Sequence, residues 1–203
     1  MYSWCRILVR GTASMSLHRC GWCLKDDLYM CYHDQEWGVP LHDDQLLFEF
    51  LILETMQAGL SWHTILKKRE NFRLAYHRFD VKSVARFTEQ DVMRLMSNPG
   101  IIRNQQKIMA SIANARAFIN VQDKYGSFDS YIWGFVDGVP INNAFEHVQQ
   151  LPAKTDLSDK ISKDLKQRGF GFVGSTVVYA HMQATGMVND HLLSCFRHSQ
   201  VQE

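Results

Sequence analysis

An all-α fold is what this sequence predicts, on three observations. Apolar residues recur at helical spacing along most of the chain, and the strict alternation of a half-buried strand is scarce. Breakers also fall where the helical runs end, most clearly at Asn98-Pro99-Gly100.

The elements follow in order. Asp43 and Asp44 are N-cap candidates for a helix running to about Gln57, where Gly59 can stop it. A second helix covers about 61–76, through the basic Lys67-Lys68-Arg69, and another about 88–96. The Ala-rich segment 103–121 is long and helical in period, and shorter helices are expected over 128–135, 158–168, 173–184 and 190–196.

The 203 residues suffice for one sizeable core, and a single domain is expected over 18–203. In residues 1–17 the apolar stretch is broken by Arg6 and Arg10, so the segment reads as a disordered extension or an upstream start, with a weak targeting signal as the alternative. A net charge of +1 gives no global signal for nucleic acid or membrane, so any DNA contact must come from a local basic patch. No apolar run approaches the roughly 18–20 residues of a membrane span. Five cysteines, an odd number at irregular spacing, point to reduced thiols and a cytoplasmic setting, with a disulfide framework as the weaker reading.

Four constellations could carry chemistry. His191 and Cys195 stand four residues apart, and on a helix capped by Asp190 they would share one face and one ion. A complementary pair is available among Cys20, Cys23, Cys31 and His33, and spacing leaves the choice open. Two Cys with two His would close a tetrahedral zinc site. The second constellation is a misplaced carboxylate. Leu47, Phe50, Leu51, Glu54 and Ala58 share a helical stripe, so Glu54 sits among apolar residues and needs a partner, a raised pKa or a task. A structural Glu paired to an Arg is the bland alternative. Third, Trp22, Tyr29, Tyr32, Trp37 and Trp62 suit either a core or a pocket for a flat base. Fourth, the turn at 98–102, followed by Arg103 and Lys107, could grip a phosphate or simply connect two helices.

Taken together, the chain resembles the 3-methyladenine DNA glycosylase I family over about residues 18–197. The resemblance is carried by Arg19-Cys20-Gly21-Trp22, Tyr32-His33-Asp34-Gln35-Glu36-Trp37-Gly38-Val39-Pro40, Gln57-Ala58-Gly59-Leu60-Ser61-Trp62 and Leu66-Lys67-Lys68-Arg69-Glu70-Asn71. It continues in Gly100-Ile101-Ile102-Arg103, Arg168-Gly169-Phe170, Phe172-Val173-Gly174 and Val188-Asn189-Asp190-His191.

The resemblance implies a helix-hairpin-helix glycosylase fold with its hairpin at 98–102, and Cys20, His33, His191 and Cys195 as ligands of one structural zinc. It implies Glu54 as the base-recognising carboxylate, with Tyr29, Tyr32, Trp62 and Trp22 around the base. Gly59 and Leu60 would form the tip that fills the gap left by the flipped nucleotide. Gly100, Ile101, Arg103 and Lys107 would contact DNA. The expected enzyme is monomeric and monofunctional, acting on double-stranded DNA that contains alkylated purines. Gly171 stands where the family pattern would have a basic residue, and His181 where it would have an aromatic one. A protein that binds damage without cleaving, or a glycosylase of shifted base preference, are the rival readings.

Overall fold

The computed structural model describes residues 17–202, and the expectation for residues 1–16 lies outside them. A 3-10 turn at Gly21–Cys23 leads into α1 (Asp27–Gln35), α2 (Asp44–Gln57) and α3 (Trp62–Ala75). A second 3-10 turn at His77–Phe79 precedes α4 (Val81–Ala85), α5 (Glu89–Met96), α6 (Gln105–Tyr125) and α7 (Phe128–Trp133). After β1 (Ile141–Asn142) come α8 (Asp156–Gln167), α9 (Ser175–Ala184), β2 (Val188–Asn189) and α10 (Arg197–Gln200). Among the described residues no helix is long and apolar enough to cross a membrane.

The caps act largely as expected. Asp43 starts α2 by accepting from the Leu46 N–H, while Asp44 accepts from the N–H groups of Phe128 and Asp129 and so ties α2 to the start of α7. Gly59, at φ +84°, adopts the left-handed conformation that turns the chain out of α2. Helix α6 begins later and ends later than predicted, because Asn104 caps it at Lys107 and Gly126 halts it at φ +85°.

Helix α2 is the centre of the core, packed by α3, α6, α7 and α9. Every residue from Leu47 to Met56 is buried, so it is a central helix and not the amphipathic one that its apolar stripe suggested. Aromatic stacking continues outward, with Phe48 edge-on to Phe118 at 5.2 Å and Phe118 against Phe128 at 4.1 Å. Each such buried ring contributes roughly 1.5–3 kcal/mol through burial alone.

Three expectations need correction. The sequence predicts no helix at α1, α4 or α10. A short parallel pair joins β1 to β2 in the register Ile141 to Val188 and Asn142 to Asn189. Residues 190–196 form turns instead of a helix, so Asp190 caps nothing. It is instead a buried acceptor for Asn143 Nδ2, Tyr179 Oη and Gln183 Nε2, at 2.6–2.7 Å. That network outweighs the local helical spacing.

Candidate active site and metal centre

Cys20, His33, His191 and Cys195 converge, with one ligand atom from each lying within 4.8 Å of all the others. They come from the residue before the 3-10 turn, from α1 and from the loop after β2, so the set brings the first part of the described chain against its last part. The turn at 190–196 brings His191 and Cys195 together in place of a helix face. Gly38 makes room for this: at φ +78°, a Cβ there would press on the His191 ring at 3.0 Å.

The donor set fits a structural zinc. His33 Nε2 and His191 Nδ1 face the Cys195 sulfur at 3.4 and 3.6 Å. Their outer nitrogens are held by the Asp34 carboxylate and the Trp37 carbonyl, at 2.8 and 2.9 Å. Such outer partners fix the tautomer of a metal-bound imidazole. Hydrogen bonds from Cys20, and then from His191 and His33, hold the Cys195 thiol toward its thiolate form. All four positions are buried, and four protein ligands leave no opening for a reactive water. Cys23 is buried and donates to the Cys20 carbonyl, outside the set. Cys31 also stands outside it.

Beside this centre lies a cavity of about 210 Å³, lined by Trp22, Tyr29, Tyr32, Trp37, Glu54, Gln57, Trp62, Leu151, Ala180 and Gln183. The predicted pocket aromatics are thus brought together. Their rings lean on one another, with Trp22 edge-on to Tyr29 and Trp37 at 4.9 Å, and Tyr32 tilted against Trp62 at 5.5 Å.

Glu54 enters this wall from α2. The carboxylate is buried, its Oε2 has no partner among the described residues, and burial raises its pKa to about 8. The structural alternative is realised one turn and a half earlier, by Glu49. That buried carboxylate is held by Arg69 and Arg73, and Arg69 also reaches Glu36. The contrast leaves Glu54, among the described residues, as a buried carboxylate with an oxygen that no structural partner holds. Trp62 Nε1 is likewise buried and unpaired.

The residues predicted to contact DNA are less uniform in placement. Gly59 and Leu60 form an exposed tip between α2 and α3. In the turn between α5 and α6, the Gly100 N–H donates to Asn98 Oδ1 at 2.8 Å, Ile101 is buried, and Arg103 is exposed. Lys107 is not beside Arg103 on the surface: it is buried, and its ammonium is directed to the end of α2. Gly171 exchanges two hydrogen bonds with the Asn114 side chain, and a Cβ there would meet Ala110 at 3.3 Å. His181 is buried, with Nε2 at 3.2 Å from the Leu47 carbonyl, and burial lowers its pKa to about 4.

Of the cavity wall, sequence reasoning placed no role on Gln57, Leu151, Ala180 and Gln183. They come from three separate segments, and none carries a local signal. Gln183 is fixed there because Asp190 holds its amide.

The family model of the methyladenine glycosylases matches residues 22–198, nearly all of the described chain. The chain belongs to that family. A curated relative, DNA-3-methyladenine glycosylase 1 of Escherichia coli (strain K12), is 49% identical over 179 residues, covering 88% of this chain and 96% of its own. A crystal structure of 3-methyladenine DNA glycosylase I superposes with a TM-score of 0.86 at 50% identity, covering 88% of this chain and 98% of that one. The Staphylococcus aureus 3-methyladenine DNA glycosylase I, solved for the structural basis of 3-methyladenine recognition, gives a TM-score of 0.86 at 39% identity over 89% of this chain and 96% of its own. The family's fold and the predicted all-α class therefore coincide.

Proposed function

We propose that this chain excises 3-methyladenine from alkylated double-stranded DNA as a monofunctional, monomeric glycosylase working in the cytoplasm. The observation that carries the reading is a buried, unpaired Glu54 in the wall of an aromatic cavity. Family membership supports the same substrate.

Methylation at N3 leaves the adenine cationic and its glycosidic bond weak. The damaged nucleotide rotates out of the duplex at a cost of a few kcal/mol, which a damaged base lessens. Leu60 then occupies the gap, with Gly59 providing the turn behind it, and Gly100, Ile101 and Arg103 hold the backbone. Within the cavity the base stacks against Trp62, Tyr32, Tyr29 and Trp22, each such contact contributing roughly 1–3 kcal/mol. Glu54 accepts from the exocyclic amine, and its ionised form stabilises the cationic base.

The bond between C1′ and the base nitrogen breaks, and its electron pair stays on the base, which leaves as neutral 3-methyladenine. A water oxygen bonds to C1′ and gives up a proton, leaving an abasic sugar. No lysine lines the cavity among the described residues, which supports the reading without a Schiff base or strand cleavage. Cys20, His33, His191 and Cys195 would hold one zinc, which staples the two ends of a single domain and takes no part in the hydrolysis.

The test is to incubate the chain with methylated DNA and separate the released bases by chromatography. Release of 3-methyladenine with little 7-methylguanine is expected. No release from folded, zinc-loaded protein would favour damage binding without cleavage.

A further inference from the structure

Lys107 lies in the first turn of α6, four residues after Arg103. It is 6% exposed, and its ammonium donates to the carbonyls of Met56 at 2.9 Å and Ala58 at 2.6 Å. These are among the last carbonyls of α2, which have no partner within their own helix and where the helix dipole concentrates negative charge. A buried charge is costly, and here that cost is offset by two carbonyls that an apolar side chain would leave without a donor.

Both ends of the contact belong to the proposed machinery. Glu54 is one turn before Ala58 on α2, and Gly59 and Leu60 follow Ala58 directly. At the other end, α6 continues from the turn that carries Gly100, Ile101 and Arg103. A second strut, from Lys68 Nζ to the Pro99 carbonyl at 3.0 Å, ties α3 to the same turn.

We propose that Lys107 is a positioning residue that locks the Leu60 tip and the end of the Glu54 helix to the hairpin that grips the DNA backbone. The inference rests on the glycosylase reading and replaces the phosphate contact expected for Lys107. With the lock in place, docking of the hairpin sets the tip and pocket in register with the lesion. Without it the Met56 and Ala58 carbonyls are released and the tip can drift, and a displacement of about 1 Å can cost roughly 10²-fold in rate.

The experiment compares wild type with Lys107→Met in three measurements. These are single-turnover release of 3-methyladenine from methylated DNA, DNA affinity across a salt series, and tryptophan-fluorescence titration with free 3-methyladenine. The expected result is a loss of roughly 10²-fold in the single-turnover rate, with DNA affinity, salt slope and free-base binding unchanged. Weaker DNA binding with a salt slope reduced by about one would restore the phosphate contact and overturn the proposal. An unchanged rate, or loss of free-base binding alongside the rate, would overturn it too. If Lys107→Met does not fold, Lys107→Gln and Lys107→Arg carry the same comparison, and failure of all three to fold reduces Lys107 to a stability residue. Failure of the wild type to release 3-methyladenine would sink the glycosylase reading itself, a separate outcome.

Discussion

Glu54 Oε2 and Trp62 Nε1 are both buried in the wall of one cavity, and neither has a hydrogen-bond partner among the described residues. An unsatisfied buried polar atom costs about 1–3 kcal/mol. Two of them in one pocket are accounted for by a ligand that supplies a donor to one and an acceptor or π-face to the other. A methylated adenine offers both.

The state of Glu54 sets a pH dependence for the reaction. Its folded pKa of about 8 leaves it mostly neutral at pH 7 in the free enzyme, whereas the cationic base favours the ionised form. The kcat/KM for excision should therefore rise toward a plateau as pH passes about 8, since that parameter reports free-enzyme ionisation. A pH–rate profile on defined methylated DNA checks it; a profile that is flat through pH 8 would detach Glu54 from the rate.

Stability carries a second signature, from two buried groups that act in opposite directions. Neutral Glu54 contributes fully below its usual value of 4.5, and that stability is lost as pH rises to about 8. His181, lowered from 6.5 to about 4, stays neutral in the fold, so stability is lost as pH falls from 6.5 toward 4. At roughly 1.4 kcal/mol per unit, each effect is of several kcal/mol. Urea unfolding across this range should lose its alkaline limb in Glu54→Gln and its acid limb in His181→Phe. A wild-type slope kept by either variant would contradict the assignment for that residue.

The metal set predicts a selective loss. Cys195→Ser should bind zinc below one ion per chain and melt earlier, because binding energy at a structural site is folding energy. Cys23→Ser, outside the set, should keep the ion. Metal analysis with calorimetry reads both, and full zinc in Cys195→Ser would remove Cys195 from the ligands.

Leu60 is 44% exposed at the tip of the turn. Leu60→Ala should leave the melting temperature nearly unchanged, within about 0.5 kcal/mol, yet slow single-turnover excision. An unaffected rate would mean that something else fills the gap in the duplex.

Much of this was legible in the sequence where a local rule decided the matter. Asp43 and Gly59 bounded α2, and Glu54 stood out because a charge fell on an apolar stripe. The ligand set and pocket aromatics were placed by family resemblance, since spacing alone left Cys23 and Cys31 as candidates. Helix α1 escaped because it mixes charged residues with Tyr32 and His33, whose burial comes from the cavity and the metal centre. The stretch 190–196 was misread because its helical spacing arises from ligand convergence and from the contacts of Asp190. Lys107 was misread as a surface cation. Its neighbours on one face of α6 are the buried Ser111 and Asn114, beside the apolar stripe of Ile108, Ile112 and Ala115. That position was the available signal that Lys107 faces inward.

The most direct test of the account is single-turnover release of 3-methyladenine by Glu54→Gln against wild type, measured on both sides of pH 8. The account predicts a loss of roughly 10²-fold or more, the scale of removing one electrostatic stabiliser of a transition state, and no rise in rate through pH 8 in the variant. A variant that releases the base as fast as wild type, with the same pH profile, would show that Glu54 is not the group that recognises the damaged base.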